Sequence, residues 1–149
     1  MTTHTSTPAT ELTDDDRALL ARPLFGLITV SPAGVRLPAP RPVWFEATPE
    51  GDVQLFSVEG ALKLRRLQAD PRATFVVIKP PGEPEGWVSI EADATVHDDG
   101  AKELADRLTD RYWDADHAEQ RADAKTIWAA ERLHRIVLHP TRITRGPAV

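Results

Sequence analysis

The chain has 149 residues, 41% of them hydrophobic, which suits one domain with its own core. It has no cysteine, which excludes disulfides and thiolate metal sites and fits a cytoplasmic setting. The formal net charge of −5 argues against general nucleic-acid binding, and no apolar run approaches the roughly 20 residues of a membrane span.

Residues 1–10, MTTHTSTPAT, are polar and lack the basic and apolar regions of a secretory signal, so a disordered leader is expected there. A single domain over 11–149 follows, with no internal repeat. Thr13 to Ala21 reads as a helix capped by Thr13 or Asp14, with Asp15 and Asp16 at the positive end of its dipole. Phe25 to Val30 is an apolar, β-branched strand, and Ser31 to Gly34 is a turn. A second strand spans roughly Val43 to Ala47 and a third Val53 to Val58, with Val53 and Leu55 facing one side and Gln54 and Phe56 the other. Ala61 to Ala69 is a short helix stopped by Pro71, and Ala73 to Ile78 is a fourth strand. After a loop with three prolines, Trp87 to His97 alternates as a fifth strand. Two helices follow, from Asp99 to about Trp113 and from Ala118 to Ala130, and LHRIVLHPTRITR closes the chain as a sixth strand.

Short turns between neighbouring strands favour an antiparallel barrel, which removes exposed sheet edges. A small α+β domain is the alternative on pattern alone. The helix after the third strand carries Lys63, Arg65 and Arg66 in its first turns, and cations beside a helix N-terminus suit a phosphate. The bland reading of these three is the solvated face of a short helix. Trp44 and Phe45 are adjacent on a strand, so one faces the core and the other a cleft or interface. Trp113 and Trp128 suit helix packing on the barrel. His4, His97, His117, His134 and His139 show no metal-ligand spacing, so no metal site is expected. There is no Gly-x-Gly-x-x-Gly and no Walker loop, and the sequence order suggests no Ser-His-Asp arrangement.

The run RPVWFEATPEGDVQLFSVEGALKLRRLQADPRATFVV, followed by WVSIEADATVHDD, a helix ending DRYW and RIVLHPTRIT, resembles the pyridoxamine 5'-phosphate oxidase-like split barrels. Lys-x-Arg-x-Leu-x-x-Asp-Pro-Arg is its most specific part. The resemblance implies a mainly β fold, a six-stranded antiparallel split β-barrel with flanking helices. It also implies a homodimer with a flavin-type cofactor, F420 or FMN, in the cleft between subunits. Residue by residue, it places Lys63 and Arg41 at the cofactor's phosphate. Trp44 and Phe45 border the ring, with Phe56 and Ser57 beside the ring and ribityl chain. Trp87 and Arg111 lie on elements supplied by the partner subunit. Arg65, with Arg66 and Arg72, would form the longer basic groove that an F420 tail favours. Three positions depart from the family pattern: Leu62 replaces a frequent arginine, Glu59 brings a carboxylate near the expected phosphate, and Ala92 replaces a frequent glycine.

The functional expectation is an F420- or FMN-dependent oxidoreductase passing a hydride to or from a small conjugated substrate. Neither nucleic acid nor a membrane is an expected partner. Tyr112 and Ser57 are the candidates if a proton must be delivered. The alternatives are a non-catalytic flavin or tetrapyrrole binder, or a dimeric split barrel without cofactor.

Overall fold

The computed structural model of the protein describes residues 9–147. Of the expected leader, residues 1–8 lie outside the described residues, while Ala9 bridges to Ile143. Helix α1 (Asp14–Leu20) begins with a reciprocal cap. The Thr13 hydroxyl accepts the Asp16 N–H at 3.1 Å, and the Asp16 carboxylate accepts the Thr13 N–H at 2.9 Å. The strands are β1 (Gly26–Val30), β2 (Arg41–Val43), β3 (Glu46–Ala47), β4 (Val53–Val58), β5 (Arg72–Ile78), β6 (Trp87–His97) and β7 (Leu133–Gly146). Helix α2 (Leu62–Ala69) links β4 to β5, and α3 (Ala101–Tyr112) and α4 (Ala118–Ala130) lie between β6 and β7.

All seven strands form one antiparallel sheet in the order β2-β1-β5-β6-β7-β4-β3. The two edge strands are consecutive pieces of one run, separated only by Trp44 and Phe45. A link of that length reaches roughly 10 Å. The sheet therefore curls until its edges nearly meet, as a half-barrel.

The expected count of six strands is corrected to seven, because the strand anticipated over Val43–Ala47 breaks at Trp44 and Phe45. Phe45 turns fully into the core, where its ring meets Phe75 edge-on at 5.0 Å. Its N–H is satisfied by the Tyr112 hydroxyl at 3.2 Å rather than by a neighbouring strand. Gly26 lies opposite Val43 at this corner, and a Cβ there would meet the Phe75 ring at 2.1 Å, so only glycine fits. The fully buried core inside the curl comprises Leu20, Ile28, Phe45, Val53, Leu55, Phe75, Ile90, Ile136 and Leu138. A second, smaller cluster joins Ala101, Ala105 and Leu133 to Phe56, Val58 and Trp128, seating α3 and α4 on β4 and β7. Among the described residues no helix is long and apolar enough to cross a membrane.

Candidate cofactor site

The residue before α2, Ala61, offers no side chain to cap the helix. The first turn also carries no acidic residue, so nothing in it offsets the positive end of the dipole. Lys63 and Arg66 lie one helical turn apart and so share a face. With Arg41 of β2, they line a small cavity of about 110 Å³ whose other walls are Ile28, Val30, Ala39 and Leu62. Lys63 is half-buried, and burial pulls its pKa below the ordinary lysine value. Arg66 Nε is buried and has no hydrogen-bond partner among the described residues. Arg41 makes one bond, to the Pro40 carbonyl at 3.2 Å. Among the described residues no carboxylate forms an ion pair with Lys63, Arg41 or Arg66. Three cations around one small cavity, with Lys63 and Arg66 partly buried, Arg41 exposed and no internal counter-ion, suit an anion.

Glu59, the departure that threatened this site, is directed elsewhere. Its carboxylate lies 3.3 Å from Arg132 and 3.7 Å from His134, and it does not line the cavity. Leu62 is 47% exposed at the cavity rim instead of packing inward.

The other expected site residues are dispersed. Arg65 opens onto an adjacent groove with Arg36, Leu62 and Arg66. Arg72 does not join that groove, because its guanidinium grips Asp70 at 2.8 and 3.0 Å. Trp44 stacks on Tyr112 with ring centroids 5.2 Å apart, while Phe45 is a core residue. Phe56 packs edge-on against Trp128 under α4, and Ser57 is buried opposite His134. Trp87 lies opposite Ile78 and Gly146 and lines a different cavity, beside Asp16 and Arg145. The Arg111 guanidinium donates to the Leu20, Ala21 and Arg22 carbonyls at 2.8, 3.1 and 2.6 Å, and it also lies 5.3 Å from the Phe45 ring centroid. Within this chain Arg111 thus caps the end of α1. The Tyr112 hydroxyl donates to the Leu24 carbonyl at 2.6 Å, and burial raises its pKa above the ordinary value.

Arg36, which lines the adjacent groove, is a cation that sequence reasoning did not single out. It sits in the irregular segment between β1 and β2, where no periodicity marks a direction. Arg66 was legible from its spacing to Lys63. Of the histidines, His97 and His139 both bond the Thr95 hydroxyl, at 2.8 and 2.9 Å, and His134 meets Asp98 at 2.8 Å. Among the described residues no group of three or more His, Asp or Glu side chains is arranged to hold a metal.

A sequence profile described as pyridoxamine 5'-phosphate oxidase matches residues 12–139. The chain belongs to this family. Comparison with curated proteins finds no significant match. Among solved structures, one named F420 reductase is 22% identical, with a TM-score of 0.66 over 86% of this chain and 94% of its own. A putative pyridoxamine 5'-phosphate oxidase from Listeria innocua is 13% identical, with a TM-score of 0.66 over 91% and 98%. An FAD-binding protein from Mesorhizobium loti is 15% identical, with a TM-score of 0.58 over 90% and 94%. At these identities the likeness establishes the fold.

Proposed function

We propose that the protein is a homodimeric, cytoplasmic oxidoreductase. It would bind F420 or FMN and pass a hydride to or from a small conjugated substrate. The observation that carries this reading is the cavity of Arg41, Lys63 and Arg66, which holds positive charge without an internal counter-ion in a chain of this family. The residues fit the group: a phosphate is matched by the Lys63 ammonium as a point charge and by the two guanidiniums as forks. The flavin-type ring supplies the hydride chemistry when bound. Arg41, Lys63 and Arg66 would hold the phosphate at the start of α2. A second copy would close the cleft against water.

Support for the dimer comes from large apolar side chains left exposed, among them Phe25, Ile78, Val35 and Leu37. A second reading, a non-catalytic flavin or tetrapyrrole binder, is favoured by the commitment of both proton-donor candidates. The Tyr112 hydroxyl is bonded to Leu24 and Phe45, and Ser57 is buried.

Titrating the full-length protein with FMN and with F420, followed by tryptophan fluorescence, tests the reading. Binding is expected for at least one, and Lys63→Ala weakens it tenfold or more, about 1.4 kcal/mol. No binding of either, or an unchanged dissociation constant in the variant, overturns it. Turnover of a conjugated acceptor by the reduced complex separates the enzyme from the carrier.

A further inference from the structure

The Thr95 hydroxyl of β6 stands between two imidazoles, with His97 Nε2 2.8 Å and His139 Nε2 2.9 Å from its oxygen. The ladder brings the three together. Thr95 and His97 are alternate residues of β6, so they share a face. His139 of β7 sits opposite Asp93, one diagonal step from Thr95 on that same face. The two histidines lie on different strands, so no spacing motif marks them in the sequence. We propose that His97 and His139 bind one dication of the zinc class through their Nε2 atoms, with the Thr95 hydroxyl and water completing its shell. None of these residues lines the Lys63 cavity, so the site stands or falls apart from the cofactor reading.

Four observations carry it. First, both Nε2 atoms converge on one point. A neutral imidazole offers one N–H and one lone pair, and a hydroxyl has a single proton to give. One dication accepts a lone pair from each ring, which the hydroxyl cannot do. Second, His139 Nδ1 lies 3.2 Å from the Asp52 carboxylate. That carboxylate draws the ring proton to Nδ1 and leaves the lone pair on Nε2, the arrangement that orients metal-binding histidines. Third, the surrounding charge is negative. His139 also lines a cavity of about 320 Å³ that holds three carboxylates, Glu11, Glu50 and Asp52, against one arginine, Arg17. Arg135, opposite His97, directs its guanidinium to Asp99 and Gln54. Fourth, both rings are partly exposed and Thr95 is exposed, so an ion reaches the site and the hydroxyl is free to stay as a ligand or turn aside.

Imidazole ligands favour zinc, copper and nickel over magnesium and calcium, which prefer oxygen. Among the described residues no group of three His, Asp or Glu side chains is arranged to hold a metal, so the remaining positions on the ion go to water. Calorimetry with zinc chloride, on the full chain purified without a histidine tag, should show saturable binding. Magnesium chloride at the same concentration should show none. His97→Ala and His139→Ala should each weaken zinc binding at least tenfold. Asp52→Asn keeps both ligands and removes the orienting charge, and it should weaken binding about tenfold. His117→Ala, on the separate turn before α4, should bind as the parent does. Zinc should raise the melting temperature of the parent and leave that of the His97→Ala/His139→Ala double variant unchanged.

No saturable zinc binding by the parent, or binding that survives the double variant, overturns the proposal. Zinc binding unchanged in Asp52→Asn overturns the role given to that carboxylate. Imidazole nitrogen resonances of the parent decide the matter if a variant fails to fold. Those of His97 and His139 should shift together as zinc is added, while those of His117 and His134 stay in place. A shift at His117 or His134 without one at His97 and His139 puts the ion elsewhere and overturns the site.

Discussion

The Tyr112 hydroxyl accepts the Phe45 backbone N–H at 3.2 Å, at the point where the edge run of the sheet breaks. A residue at the end of α3 thus supplies the hydrogen bond that a strand neighbour would otherwise give. The Tyr112 ring stacks with Trp44 and with Phe25, at centroid distances of 5.2 and 6.0 Å. The corner is therefore held by one side chain through both its polar tip and its ring.

Tyr112→Phe keeps the stacking and removes the hydroxyl. The Phe45 N–H and the Leu24 carbonyl then lose their partner in a half-buried site, and stability should fall by about 1–3 kcal/mol. Urea unfolding measures this, and a loss below about 0.5 kcal/mol would mean that water replaces the hydroxyl.

Lys63 makes the ligand-free fold pH-dependent. Burial lowers its folded pKa, so the folded state binds fewer protons than the unfolded chain between that lowered value and the ordinary 10.5. Stability contributed by this site should rise with pH across that window, and below the lowered value the buried charge is present at its full cost. Lys63→Met should raise the melting temperature at pH 7 and abolish the rise at alkaline pH. Anion affinity of the parent should decline as pH climbs through the lowered Lys63 value. Parallel pH profiles for the two proteins settle it, and identical slopes would remove Lys63 as the buried cation.

Leu62 and Glu59 separate by position. Leu62→Arg adds a guanidinium at the rim of the Lys63 cavity, from a side chain that is 47% exposed. It should tighten phosphate binding severalfold, more at low salt than at high salt, without lowering the melting temperature. Glu59→Ser should leave affinity unchanged, because the carboxylate faces Arg132. Lost stability in Leu62→Arg with no gain in affinity would contradict the site.

Asp16 ties α1 to β7. Burial would raise its pKa, yet three short bonds from Arg145, at 2.7 to 3.2 Å, and those from Thr13 hold it below the ordinary value. Since the folded pKa is lowered, this stabilisation is complete above the ordinary aspartate value of 3.8 and disappears as pH falls through the folded one. Arg145→Met leaves a buried carboxylate half-supported and should cost about 2 kcal/mol, discounted for the partial exposure of the arginine. It should also move the acid unfolding midpoint upward, which circular dichroism during acid titration reports.

The exposed Ile78 and Phe25 bear on assembly. Ile78 is 52% exposed opposite Trp87 at the end of β5, on a strand that is interior to the sheet. Ile78→Asp should shift a sedimenting dimer toward monomer at micromolar concentration. A parent protein that sediments as monomer at tens of micromolar would remove the second copy from the proposed cleft.

Much of the fold was legible. The bounds of β4, β6 and α4 follow from alternation and helix punctuation within each segment, so local sequence sufficed. The break after Val43 was not legible, because the group that completes the corner, Tyr112, is 67 residues away in sequence. That Arg41 and Lys63 come to line one cavity was legible from the motif that pairs them, whereas the sequence placed Arg66 only beside Lys63 on the helix. Arg36 was hidden in a loop without periodicity. Arg72 was misplaced in the basic groove because nothing in its run of cations signals that Asp70, two residues earlier, would claim it.

The two ends of the sheet are halves of a single interrupted strand, and chain connectivity thereby performs a protective task. A protein nicked between Trp44 and Phe45 would keep every strand, but β2 and β3 would no longer be held to each other. The half-barrel could then flatten and present two rows of unpaired N–H and C=O groups to neighbouring molecules. That one peptide bond therefore guards both sheet edges, and with them the position of Arg41, which lies on one of the released edges.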